Sequence, residues 1–228
     1  MRPGLLEAPP KTRPLRANDR QTLASTANES AGVSQGLVLL IGSAAVGFSA
    51  LYFLSDLIEL LQGGFSTTQL TLTYAAEAAI PLFVLGLYAL QRPRIGRLGL
   101  VAAFTYAYSF VFFTSTVVYA LIDQTSDWDA LTSKFGAWMT VHSALMVIAG
   151  IAFGLAIVRA RVLPRWTGAA LILGMILMTV ATALPDVAQV LAAGVRDVAF
   201  AGMGMAFIRD GAQRTDVRIP EPARERAK

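Results

Sequence analysis

Cysteine is absent from this 228-residue chain, histidine occurs once, and charged residues make up only 15%. Each shortage excludes something. Without cysteine there is no disulfide, no thiolate nucleophile and no Cys-ligated metal. His142 is the sole histidine and no HExxH occurs, so a zinc hydrolase lacks its ligands and a two-histidine haem site cannot form. GxxxxGK[ST] is missing too, so the chain has no P-loop for a nucleotide. The only lysine outside the two tails is Lys134, near a helix end, which rules out a mid-membrane Schiff base. No metal or cofactor is expected.

The scarcity of charge is itself a class signal. A soluble domain is about 25% charged; here hydrophobic residues reach 55% and mean hydropathy is +0.56. Charge crowds into the tails and a few loops, separated by apolar segments of roughly 18–25 residues, the helical length that spans about 30 Å of hydrocarbon. A membrane β-barrel would alternate over strands of about ten residues, and these segments do not. The reading is an all-α polytopic membrane protein, a six-helix transmembrane bundle.

The expected spans are 36–60, 69–91, 98–122, 135–158, 167–184 and 187–208. Residues 1–35 carry Pro3, Pro9, Pro10 and Pro14, five basic residues and a Ser/Thr/Asn/Ala run without an apolar core. They are expected to be a disordered cytoplasmic tail rather than a cleaved signal peptide. Residues 209–228 are expected to be a second, polar cytoplasmic tail. All basic residues except Lys134 and Arg196 lie in the tails or in the 92–97 and 159–165 loops, which share one side of a six-span protein. The positive-inside rule then places both termini in the cytoplasm of a multi-pass protein of the plasma membrane. The formal charge of +4 follows this topology and forms no groove-sized patch, so nucleic acid is not expected as a partner. The expected partners are the lipid bilayer, a lipophilic or small polar ligand, or another membrane protein. Segments 86–104 and 154–174 resemble each other as helix end, Arg/Pro turn and Gly/Ala-rich helix start, an echo that any positive-inside hairpin would also give.

Small residues point to close helix packing, with pairs at Ser43/Gly47 and Gly150/Gly154. Pro81 cannot donate to the Glu77 carbonyl, which leaves that oxygen free beside the Glu77 carboxylate. In the third span, Thr105, Tyr108, Ser109, Phe112, Thr116 and Tyr119 recur at helical spacing and line one face.

The most informative segment is 187–208, where Arg196 and Asp197 interrupt a spanning helix. Ionised side chains at that depth cost about 2.5–3.5 kcal/mol each on insertion scales, so they require partners. Counting 1.5 Å per residue from the outer boundary places Asp56 at about 6 Å, His142 at about 10 Å, Glu77 at about 12 Å and Arg196 at about 14 Å. These groups share the outer half of the bilayer, and the inner half has no ionisable group in a helix interior. Arg196 is expected to pair with Glu77 or Asp56, with His142 within one water of that pair. Asp197, about 100° further round the helix, is expected to face a neighbouring helix together with Val190, Ala193, Gly194, Ala201 and Gly204.

Three functions remain open. In a small transporter or permeation protein, Asp56, Glu77, Tyr108, His142, Arg196 and Asp197 would bind a small substrate or relay protons. In a membrane-embedded enzyme acting on a lipophilic substrate such as a prenyl chain, Glu77, His142 or Asp197 would serve in acid–base catalysis, and Tyr106, Tyr108, Phe110 and Phe112 would stabilise a cationic intermediate. In a non-catalytic accessory subunit, the charges would hold a partner's helices.

Overall fold

The computed structural model describes the backbone of residues 17–216 and the side chains of residues 35–211. The chain divides into two compact units, residues 1–37 and 38–228. In the first, the described backbone is helical from Ala17 onward. The second contains the packed apolar helices.

Among the described residues there are seven helices and no strand: α1 (Ala17–Gln62), α2 (Thr67–Leu90), α3 (Gly96–Asp123), α4 (Trp128–Phe135), α5 (Ala137–Ala160), α6 (Arg165–Ala181) and α7 (Asp186–Asp216). By length and composition, five segments suffice to cross a membrane: Gln35–Gln62, Thr67–Leu90, Gly96–Asp123, Ala137–Ala160 and Asp186–Gly211. The chain is thus an α-helical integral membrane protein. The segment expected as a span over 167–184 forms α6, whose 17 residues make it shorter than those five segments. At 1.5 Å per residue it measures about 26 Å, just under the hydrocarbon thickness.

The helix ends follow local chemistry. The Ser66 hydroxyl caps α2 by accepting from the Gln69 N–H. Pro164 precedes α6 and Pro185 precedes α7, where the missing N–H costs nothing. Between the expected spans 98–122 and 135–158 the chain forms α4. Asp127 caps it, its Oδ1 accepting from the Ala130 N–H at 2.8 Å. Gly136 then turns the chain into α5 at φ +52°, a left-handed conformation that a Cβ would strain. Helix also enters both segments read from sequence as tails, since α1 begins at Ala17 and α7 ends at Asp216. Past Pro14 the first of these has no proline and contains several alanines, so nothing in it breaks a helix. Residues 1–16 and 217–228 lie outside the described residues.

Packing makes a closed ring. Helices α2, α3, α5, α6 and α7 pack in that order, each on the next. Helix α1 closes the ring: the backbones of Gly42 and Gly204 leave no room for a Cβ between α1 and α7, and Ile41 fills the space over Gly86 of α2. Gly150 and Gly154 bring α5 onto α6, against Met175 and the Gly168 carbonyl, as their spacing suggests. The Ser43/Gly47 pair does not serve that purpose. A Cβ on Gly47 would meet nothing within 4 Å, and both residues are exposed. The inward face of α1 is instead Gly42, Ala45, Ser49, Tyr52, Ser55/Asp56 and Glu59, a run of three- and four-residue steps. Its polar members must avoid lipid, and they set the rotation of the helix.

Helix α7 meets several of its neighbours. Phe200 packs edge-on to Phe83 of α2 at 5.4 Å and lies 5.8 Å from Tyr106 of α3. Gly174 of α6 leaves space for the Arg196 backbone. Arg196 therefore sits on a helix that packs against α1, α2, α3 and α6.

Candidate functional site

Arg196 is 2% exposed, the largest fully buried side chain in the bundle. Its Nε donates to Asp197 Oδ1 at 2.9 Å, and Nη2 stands 2.9 Å from the same oxygen, outside hydrogen-bond direction. Nη1 donates to the Met178 sulfur of α6 at 3.8 Å. The guanidinium carbon lies over the Tyr52 ring of α1, 4.4 Å from its centroid, a cation–π contact favoured when both groups are desolvated. The Tyr52 hydroxyl donates in turn to Glu77 Oε1 of α2 at 2.9 Å. Tyr52 therefore joins Arg196 to Glu77 by its ring and its hydroxyl. Asp56 stands one turn along α1, within electrostatic reach of Arg196, Asp197 and Glu77.

The ion partner of Arg196 is thus its own neighbour, not Glu77 or Asp56. Adjacent residues on a helix project about 100° apart, which argues against a contact between short side chains. Arginine is long enough to bend back to the carboxylate beside it, and Tyr52 takes the volume between the guanidinium and Glu77. The small-residue face assigned to Asp197 does meet a helix, Gly194 against Phe53 and Gly204 against Gly42 of α1. Asp197 is also buried, at 6%.

His142 belongs to a different group. Its Nδ1 lies 2.8 Å from the Trp138 carbonyl, which can only accept, so Nδ1 carries hydrogen. Nε2 lies 3.3 Å from the Tyr108 hydroxyl, and the ring stacks on Phe112 at 3.7 Å. Both nitrogens have partners of their own between α3 and α5, so His142 does not sit beside the Arg196 pair. Of the six residues proposed from sequence to bind a ligand, four gather (Asp56, Glu77, Arg196, Asp197) and two form this aromatic group (Tyr108, His142). The four aromatics suggested for a cation cage also divide. Tyr106 and Phe110 are core residues 5.1 Å apart. Tyr108 is 57% exposed, and Phe112 stacks on His142.

Tyr52 is the residue that sequence reasoning missed. Its signal was present, four residues before Asp56 on the same face of α1, but a tyrosine in an apolar segment does not stand out among packing aromatics.

Among the described residues, Glu77 Oε2 and Asp197 Oδ2 have no hydrogen-bond partner, and Arg196 Nη2 has its ion contact with Asp197 Oδ1 but no hydrogen bond. All belong to side chains more than nine-tenths buried. A buried unsatisfied group costs about 1–3 kcal/mol, so these atoms are the most costly polar groups of the centre. The cluster offers one donor and two acceptors, with carboxylates in excess over the single guanidinium.

Comparison of the chain with known protein families, with curated proteins and with solved structures gives no match.

Proposed function

We propose that this protein is a small proton-linked transporter or permeation protein of the plasma membrane, with six spans and cytoplasmic termini. In this reading the Glu77–Tyr52–Arg196–Asp197 centre binds a small polar solute. The carrying observation is the trio of buried atoms without a hydrogen bond on Glu77, Arg196 and Asp197, of which only Arg196 Nη2 has an ion contact. A purely structural staple would satisfy its groups across helices, since an unmade bond in low dielectric is a standing loss. A binding centre holds donors and acceptors in reserve and satisfies them with substrate. Glu77 carries the proton in this scheme, because a carboxylate held by one hydroxyl has a free oxygen to protonate. The division of the four aromatics weighs against the prenyl-enzyme reading, which needs them around one cavity.

The test is flux in proteoliposomes that enclose a pH-sensitive dye. Solutes from a panel of monocarboxylates, amino acids and sugars are added outside. At least one should drive protein-dependent proton movement, and Glu77→Gln should slow it by about tenfold or more, as expected on losing a proton-transferring group. Identical traces for wild type, Glu77→Gln and protein-free vesicles across the panel would reject the reading.

A further inference from the structure

A second polar group lies along the α1–α2 seam, between the Gly63–Ser66 turn and the centre just described. Gln69 Nε2 donates to Glu59 Oε2 and to Thr73 Oγ1, each at 3.0 Å. The hydroxyls of Thr73 and Ser55 share a hydrogen bond, and each lies 3.1 Å from the Gln69 backbone carbonyl, which accepts from whichever hydroxyl does not donate to the other. Ser55, Gln69 and Thr73 are all buried. On α2, Gln69, Thr73 and Glu77 recur at four-residue steps, about 6 Å each along the axis. On α1, Glu59, Ser55/Asp56 and Tyr52 recur at three- and four-residue steps in register with them. The result is a polar line from Glu59, at the turn, to Tyr52 and Glu77. Orphaned acceptors stand at both ends of its buried part, Gln69 Oε1 and Glu77 Oε2, and Gln69 is only 2% exposed.

An apolar seam would pack two helices at lower cost. We propose that this seam is the route by which protons reach Glu77 from the side of the α1–α2 turn, an inference that rests on the proton-linked reading above. Hydroxyls both donate and accept, so Ser55, Thr73 and Tyr52 pass a proton on. Gln69 does not, but its free oxygen orients a water beside Glu59. The remaining step, between Thr73 and Glu77, is one helical turn, about 6 Å along the axis, and in this route water carries the proton across it. In the transfer an O–H bond breaks on the Glu59 carboxyl and one forms at Glu77 Oε2, while each hydroxyl and water between them gains one proton and releases another and so ends as it began. The charged and titratable groups around the route are Asp127 and Asp186 near Glu59, Asp56 between the ends with Asp197 facing it, and Tyr52 and Arg196 at Glu77. The acidic groups at the outer end concentrate protons there, and Arg196 stands only at the inner end.

The experiment is a rapid pH jump on purified protein in nanodiscs, followed by infrared absorption of protonated carboxyl groups. The Glu77 band is identified as the one lost in Glu77→Gln. In Ser55→Ala with Thr73→Val, the band should keep its final amplitude while its rate falls about tenfold or more. Thr73→Ser, which keeps the hydroxyl, should keep the rate. If the double variant does not fold, Thr73→Val alone, nearly isosteric, carries the same expectation. An unchanged rate in the folded Val variant overturns the route and leaves the proton-linked reading intact. Absence of any Glu77-dependent band at every pH overturns both.

Discussion

At the scale of the residue, the Arg196–Asp197 pair shows why neighbours in sequence are the hardest contacts to foresee. Helical geometry separates their Cβ directions, and only the length of the guanidinium side chain restores the contact. The pair is local to α7, yet its burial makes it costly to break from one side. Removing one partner of a buried pair costs about 3–5 kcal/mol in soluble proteins, whereas replacing both with apolar residues is often neutral. Arg196→Ala should therefore lower the melting temperature of the detergent-purified protein sharply, because it strands Asp197 and exposes the Tyr52 face. Arg196→Met with Asp197→Leu should recover most of that loss. A double variant as unstable as the sum of its singles would mean that the pair holds the bundle together through contacts outside itself.

The element scale is governed by glycine at helix crossings. A Cβ at position 174 would sit 2.7 Å from the Arg196 backbone nitrogen and 2.9 Å from its Cα. Backbone atoms cannot swing aside, so Gly174→Ala must push α6 away from α7 at the level of the centre. Overpacking of this kind costs about 1–3 kcal/mol. Gly47 faces open space, and alanine in a helix interior is favoured over glycine by about 1 kcal/mol. Thermal unfolding of the two variants should therefore move in opposite directions, down for Gly174→Ala and level or up for Gly47→Ala. If both are neutral, the α6–α7 crossing is looser than its geometry implies. The same contrast explains a misreading. Small residues spaced by four permit a close crossing, but two overlapping frames existed on α1, and the inward demand of Tyr52, Asp56 and Glu59 chose the frame of Gly42.

For the whole molecule, the decisive property is the sidedness that charge gives the bundle. Glu59, Asp127 and Asp186 lie near one another at one end, where the Phe65 N–H donates to the Ser126 carbonyl at 2.8 Å. The arginines at 92–97 and 159–165 belong to the opposite set of turns. The absence of native cysteine lets single cysteines report on this directly. Asp129→Cys and Arg94→Cys, both at exposed positions, should react with a membrane-impermeant maleimide from opposite sides, Asp129→Cys from outside intact cells and Arg94→Cys only after permeabilisation. Labelling of both from the same side would refute the proposed topology.

Composition and hydropathic pattern alone determined that this is a helical membrane protein and where its long helices lie, because both depend on the length and polarity of each segment. They also drew attention to the polar centre, since an arginine beside an aspartate in a spanning helix has no inexpensive explanation. A height along the bundle could be assigned to each group as well, because rise per residue is fixed. The rotation of each helix about its axis could not, and rotation decides which groups at one height meet. That is why Glu77 and Arg196 were assigned similar depths from sequence, while Tyr52 between them, the turning back of Arg196 onto Asp197, and the separate pairing of His142 with Tyr108 emerged only from the packed structure. Depth is a property of one chain segment, whereas contact is a property of two.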